Sequence, residues 1–370
     1  MGILYDGVAG GMLAYSRAAF RVRVLAARFR FEPGTLIVST HRRETDVPLI
    51  CPPLYFNARV WRHRWPRMSF AARDDMFLPG FFAGFPPDLS PRARRVLYPL
   101  GVARWLPVVQ VHPIRSASVA RLGEIVRARP DAALEELAPD GLDEPFRARA
   151  AELRLPAPRT GKEVLRGEYA DLLWRAVTPA EAAGPDDFWA RRGSQAADDF
   201  RGLVELIREG EVLLVFPEGR PSPDGEIGPL RRGLSALVRR GKPTRVMPVT
   251  LAYDPLVRGR THAFVAIGSA VAPPEADAER EVLALLRRRT PLTCGQFVAS
   301  RLVEGGKPTA EGLALEVDAA REEGRPLDPD LRSEEGRRSR LEEALAAAPS
   351  HEDELAFLAR EYRSAREIPA

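Results

Sequence analysis

Leu36-Ile-Val-Ser-Thr-His41-Arg-Arg-Glu-Thr-Asp46 is the stretch on which the fold turns. Leu36 to Val38 is short, apolar and partly β-branched, and Gly34 precedes it, so the run predicts a buried strand. Pro48 suits the first turn of a following helix, where a missing N–H costs nothing. His41 then falls at the carboxyl end of the strand and Asp46 just inside the helix, close enough for the carboxylate to hold one ring nitrogen. An imidazole held this way is neutral, fixed in one tautomer and ready to take a proton from a hydroxyl. A surface histidine and aspartate at a helix start leave the same trace in a sequence, so this stretch alone leaves both readings open.

Working outward, the 370 residues suit one large domain with appendages or two domains, and a 45% hydrophobic fraction is enough for a sizeable core. Cys51 and Cys294 are far apart and give neither a disulfide framework nor a metal-ligand spacing, which fits a reducing compartment. The net charge of +4 is modest, and nearly all cations are arginine, lysine standing only at 162, 242 and 307. Arginine abundance of this kind does not by itself argue for nucleic acid. No apolar run reaches the roughly 20 residues of a transmembrane helix. The amino terminus also lacks the order of features that marks a signal peptide.

Residues 8–31 predict an amphipathic helix, with Tyr15, Ala18, Val22, Leu25 and Phe29 at helical spacing. Arg17, Arg21 and Arg28 line one flank of that stripe, Arg23 and Arg30 the other. The pattern fits a helix lying in a lipid headgroup layer with snorkelling arginines, or a helix packed on the core. Val60-Trp-Arg-His-Arg-Trp-Pro-Arg67 is basic and aromatic; Phe77, Phe81, Phe82 and Phe85 then cluster around Pro79, Gly80 and Gly84. Together they fit a core-filling loop or an interfacial anchor. Nucleic acid is a weaker rival, because no recognised binding motif accompanies them.

A second strand is expected at 106–111, followed by His112-Pro-Ile-Arg115 and a helix from Val119 to Val126. From about 129 to 200 the composition turns to Ala, Glu, Arg and Pro without a strand signal, which predicts a helical insertion with mobile loops. A helix at 196–208 ends near Gly210, Val212 to Phe216 is a buried strand, and Pro217-Glu-Gly-Arg220 follows. A helix at 231–240 leads to strands at 245–252 and 263–267. Strands separated by helices predict an α/β fold with a mostly parallel central sheet flanked by helices. Past about residue 275 the chain reads as a helical C-terminal appendage.

Ligands of open α/β sheets collect beyond the carboxyl ends of the strands, and three groups fall there: His41 with Asp46, Arg115, and Glu218 with Arg220. A histidine base, a carboxylate and phosphate-gripping arginines describe a site that deprotonates an alcohol on an anionic substrate. Five scattered histidines suggest no metal site, and there is no G-x-S-x-G elbow, P-loop or dinucleotide fingerprint.

His41-x4-Asp46, Val215-Phe-Pro-Glu-Gly219 and Val246-Met-Pro-Val249, in this order, resemble the glycerolipid acyltransferase superfamily, which includes glycerol-3-phosphate and 1-acylglycerol-3-phosphate acyltransferases. The resemblance spans roughly residues 32–272. It implies acyl transfer from acyl-CoA or acyl carrier protein to a hydroxyl without a further cofactor or a metal. His41 is then the general base and Asp46 its orienting partner; Glu218, Gly219 and Arg220 meet the acceptor and Arg115 its phosphate. Phe216, Pro217 and Pro248 support the site or line the acyl-donor pocket. Because the thiol leaves readily, no covalent enzyme intermediate is required, but the tetrahedral intermediate needs hydrogen-bond donors, and amides near a helix start are candidates. Departures fall mainly in the acceptor blocks. Thr40 stands where many relatives have asparagine, Arg220 is displaced by one with Pro221 in its usual place, and the glycine and phenylalanine expected before Arg115 are missing.

The resulting expectation is a peripheral enzyme on the cytoplasmic face of a membrane, acylating lysophosphatidate in phospholipid synthesis. The alternatives are an acyltransferase for glycerol-3-phosphate or another lipid alcohol, and a non-catalytic lipid-binding relative. The expected organisation is a membrane-associating segment at 1–31, an acyltransferase domain at 32–272 and an appendage at 273–370. Its expected partners are the acyl carrier, a lysophospholipid or glycerol phosphate, and the membrane surface, not nucleic acid.

Overall fold

The computed structural model describes residues 3–26, 29–58, 68–84, 89–137, 144–182 and 187–367. They fall into two compact units, one of Met1–Phe70 with Val204–Ala370 and one of Ala71–Leu203. The first unit is built on a sheet in which β1 (Arg21–Ala26), β9 (His262–Ile267), β8 (Arg245–Asp254), β2 (Thr35–Ser39), β7 (Val212–Val215) and β3 (Met68–Arg73) are successive neighbours. All of these pairs are parallel except β8 with β9. The expected α/β class with a mostly parallel, helix-flanked sheet is therefore observed.

β2, β7 and β9 are buried along their whole length, and β8 is buried beyond its first residue. Unbroken apolar runs of this kind belong to strands covered on both faces, which is why the sequence gives them away. Leu36, Ile37 and Val38 are each fully inaccessible, and each contributes about 1.5–3 kcal/mol by leaving water. Pro248 is tolerated in β8 because the ladder slips there. Pairing runs from Val249↔Ile267 onward, then resumes at Val246↔Val271, leaving one extra residue on the far strand. Gly268 N–H donates to Pro248 O at 2.9 Å across this bulge.

The amino-terminal segment differs from the single helix expected over 8–31. The helix α1 is Ile3–Ala19, and the chain then enters β1, paired with β9. Arg21-Val-Arg-Val24 alternates with period two and its valines are β-branched, which favours a strand once a partner is beside it. Arg260 bonds the carbonyl oxygens of Arg17 and Ala18, ending the helix. Its buried face carries Tyr5 and Ala9, packed towards α2 (Asp46–Asn57), and Tyr5 donates to Met68 O at 3.0 Å. Tyr15 and Ala18 of the expected stripe, with Leu4, are exposed instead.

The C-terminal region is helical as expected, yet it is integrated in the first unit rather than appended to it. Its helices Cys294–Val303 and Glu352–Arg366 pack on each other. The two cysteines are buried and unpaired.

In the second unit, the strand expected at 106–111 begins later. Pro107–Val109 is a 3-10 turn, Gln110 takes a left-handed φ of 60°, and β4 is Val111–Ile114. The helix expected from Val119 starts at Leu122, after the short β5 (Ala120–Arg121). β5 pairs antiparallel with β6 (Ala176–Val177), so the insertion carries a strand. The second unit has a core that includes Leu122, Ile125, Phe146, Val164, Tyr169 and Leu173. Phe81 packs edge-on against Trp174, while Phe82 is partly exposed. The 60–67 segment and Phe85 lie outside the described residues.

Ile37→Ala should cost about 2–5 kcal/mol, because neighbouring strands on both sides prevent collapse of the cavity. Urea denaturation measures it, and a loss under 1 kcal/mol would contradict the buried placement of β2.

Candidate active site

The turn from β2 into α2 builds its geometry from within. Thr40 anchors it: its N–H donates to Val249 O at 3.2 Å, and its hydroxyl accepts Leu251 N–H at 3.1 Å. Thr40 thus ties the turn to β8. Asp46, fully buried, gathers the rest. Its Oδ2 lies 2.9 Å from His41 Nδ1 and accepts the amides of Arg42 at 2.5 Å and Arg43 at 3.0 Å. Its Oδ1 accepts Tyr253 O–H at 2.6 Å. With the carboxylate on Nδ1, the neutral imidazole carries its proton there, and Nε2 is the nitrogen left for an incoming hydroxyl.

His41 is 8% exposed, and its ring stacks on Phe216 with centroids 4.4 Å apart. Its backbone N–H donates to Glu218 Oε1 at 3.0 Å, and its carbonyl accepts Ser222 N–H at 2.9 Å. Glu218 also accepts from Arg42 Nη2 at 3.2 Å and from the Gly228 amide. Burial raises the Glu218 pKa above the usual carboxylate range, opposed by Arg42 and by these amides. Glu218 therefore holds the histidine turn. Gly219, at φ +75°, takes the left-handed conformation that turns the chain after it, and its Cβ-less face lies against Arg231. Arg231 closes the loop, its N–H donating to Pro217 O at 2.8 Å and its guanidinium to Glu218 O at 3.3 Å.

His41, Asp46, Phe216 and Glu218 thus converge. Pro217 and Gly219 lie in the same loop, and Pro248 sits in β8 beside Val38 of β2. Arg220 is exposed, without a partner among the described residues. Arg115 belongs to the second unit, where its guanidinium and N–H bind Asp199, the closest contact being 2.7 Å. Burial raises the Asp199 pKa against the pull of Arg115. The amides first in line as oxyanion donors, those of Arg42 and Arg43, are consumed by Asp46.

Residues 186–252 match the family model described as Acyltransferase. That stretch contains Phe216 to Arg220 and Pro248; the histidine turn precedes it. The resemblance to acyltransferases is borne out there, and acyl transfer is the class of activity it supports. No curated protein matches the chain. Among solved structures, PlsC, the 1-acyl-sn-glycerophosphate (LPA) acyltransferase from Thermotoga maritima, is similar at 15% identity over 77% of this chain and 79% of that one. Its TM-score of 0.34 is too low for the likeness to carry an argument about the site.

Sequence reasoning missed Tyr253, Arg42 and Arg43. Tyr253 comes from a distant strand, and only the β2–β8 register brings it to Asp46. Burial and the neighbouring Asp46 charge raise its pKa far above the usual value, so it stays a donor. Arg43 stacks over its ring at 4.6 Å and pairs with Glu354 at 2.9 Å. Tyr253→Phe should cost about 1–3 kcal/mol by leaving Oδ1 without its partner, and should lower the activity proposed below. Equal melting curves and equal rates would show that the hydroxyl does nothing for Asp46.

Proposed function

We propose that the protein is a peripheral membrane acyltransferase that moves a fatty acyl group from acyl-CoA or acyl carrier protein to the hydroxyl of lysophosphatidate. The observation that carries the reading is the buried His41–Asp46 pair, 2.9 Å apart, in one network with the Glu218 of an acyltransferase-matching segment. Asp46 fixes the tautomer, and His41 Nε2 takes the acceptor's proton as its oxygen attacks the thioester carbonyl. The thiolate leaves when the tetrahedral intermediate collapses, and the proton on His41 returns to it. Glycerol-3-phosphate or another lipid alcohol remains the alternative acceptor.

Recognition of the acceptor phosphate falls to Arg220, next to the Glu218–Gly219 turn, in this reading. Arg220 is a solvent-facing cation beside that turn, suited to a charged headgroup. Phe216, stacked on His41, and Pro248 support the site.

No described helix is long and apolar enough to cross a membrane. Membrane contact is assigned to α1, whose Leu4 and Tyr15 are 40% and 45% exposed on a helix already anchored through Tyr5 and Ala9. Such a face adds apolar area to a headgroup layer without leaving the protein.

Thiol release from an acyl-CoA, with lysophosphatidate, glycerol-3-phosphate and a neutral monoacylglycerol as acceptors, tests the chemistry. His41→Ala should lower acceptor-dependent release by about 10²–10⁴-fold, the usual worth of a general base. Release that survives the change would sink the mechanism, and the best acceptor identifies the substrate. Leu4→Glu with Tyr15→Glu should reduce flotation on anionic vesicles. Those changes are preferable to deletion through residue 31, which would remove β1 from the sheet; undiminished flotation would take α1 out of the membrane contact.

A further inference from the structure

Arg42, next to the histidine, is wholly buried, and what surrounds it is unusual. Its guanidinium donates to Glu218 and to the carbonyls of Gly225 at 3.3 Å and Glu226 at 3.0 Å. Its Nε lies 3.7 Å from Oε1 of Glu361, on the C-terminal helix Glu352–Arg366. Neither of these two facing atoms has a hydrogen-bond partner, although both are buried. The other Glu361 oxygen accepts Gln296 Nε2 at 2.7 Å. Glu361 is 1% exposed, so this carboxyl group has no solvent to complete its coordination.

The same helix grips the loop that follows Glu218. Gly225 runs so close to it that a Cβ there would lie 2.3 Å from Phe357 O, and its φ of +91° requires glycine independently. Ile227 N–H donates to Ser364 Oγ at 2.9 Å, and Arg360 pairs with Asp224. Ser222, in that loop, donates in turn to His41 O. Two routes therefore connect this helix to the histidine, one through the loop backbone and one through Arg42 and Glu218.

We propose that Glu361 is a positioning residue of the acyl-transfer site, which acts through Arg42 and Glu218 on His41 and strengthens the base when its carboxyl group ionises. This rests on the functional reading above. Glu218 and Glu361 are two buried carboxyl groups facing one fully buried guanidinium, so Arg42 alone cannot balance both as anions. Burial pushes Glu361 up to about 7, against the pull of Arg42, Gln296 and Arg43, and with a push from Asp46. From the neighbouring Cys294–Val303 helix it meets the neutral Gln296; Arg287, on Ala278–Arg289, engages the Glu367 end of the helix instead. Ionised, Glu361 draws Arg42 Nε into a full ion pair, fixes the guanidinium that holds Glu218, and adds negative charge that stabilises the imidazolium formed during transfer.

Glu361→Gln mimics the protonated carboxyl group, which makes pH the discriminating axis. The wild-type and variant kcat values should agree at pH 6 and diverge to about tenfold at pH 8.5, with KM for both substrates unchanged. A purely structural role predicts a ratio that does not vary with pH and follows the melting temperature; either result would overturn the proposal. The His41 imidazole, assigned by comparison with His41→Ala, should titrate lower in the variant by roughly a few tenths of a pH unit. An unchanged midpoint also overturns it. The imidazole titration needs no turnover, so wild-type protein inactive with every acceptor would refute the functional reading while leaving this one decidable.

Discussion

The site depends on one carboxylate having no access to water. Asp46 accepts two amides, one imidazole and one phenol, the first three from its own turn and the last from β8. The amides belong to its own turn, so the loop between strand and helix is wound around the acid before any distant part of the chain contributes. The phenol then ties the turn to β8. A buried carboxylate deprived of several such donors would be costly, which makes the arrangement self-enforcing: the turn folds this way or the acid takes up a proton. The geometry of the His41 turn and its local folding are one requirement here.

A second constraint is charge balance. Arg42 follows His41 directly, and a guanidinium with no water must be surrounded by acceptors. The structure meets that demand in part, with two carbonyls of the 225–226 loop and the Glu218 carboxylate, while Nε faces Glu361 at 3.7 Å without a hydrogen bond. Glu218 is therefore recruited from both sides, by the backbone of His41 and by the side chain next to it. Its place in the Phe-Pro-Glu-Gly block is explained by holding the histidine turn.

What the sequence disclosed follows from the range of the interactions. β2, β7, β8 and β9 were legible because burial on both faces leaves an unbroken apolar run. The His41–Asp46 pair was legible because strand end and helix start fix their separation locally. β1 was hidden because Val22 and Leu25 fit a helical period as well as a strand, and only pairing with β9 decides between them. The delayed start of β4 turns on the left-handed Gln110, a conformation with no glycine to announce it. Tyr253, Glu361 and Gln296 lie far along the chain from His41 and carry no motif, so nothing short of the sheet register and helix packing assigns them.

The C-terminal region shows the limit of reading composition as architecture. Arg/Glu/Ala-rich helices suggest a solvated appendage, and their surface pairs, such as Arg338 with Glu342, are of the kind that contributes little. The inward face of the same region is different. Arg340 is buried between Asp254 and Asp328, and burial lifts Asp254 to about 6 even against that guanidinium. Glu361 and Gln296 belong to that inward face as well. Buried ionic groups add little net stability over apolar packing, but removing one partner is expensive, so they lock a particular docking of helices. The strand that supplies Tyr253 continues directly to Asp254. This inward face thus fixes the end of β8 and closes around the arginine beside His41, so that docking of these helices and alignment of the histidine turn are mechanically one event.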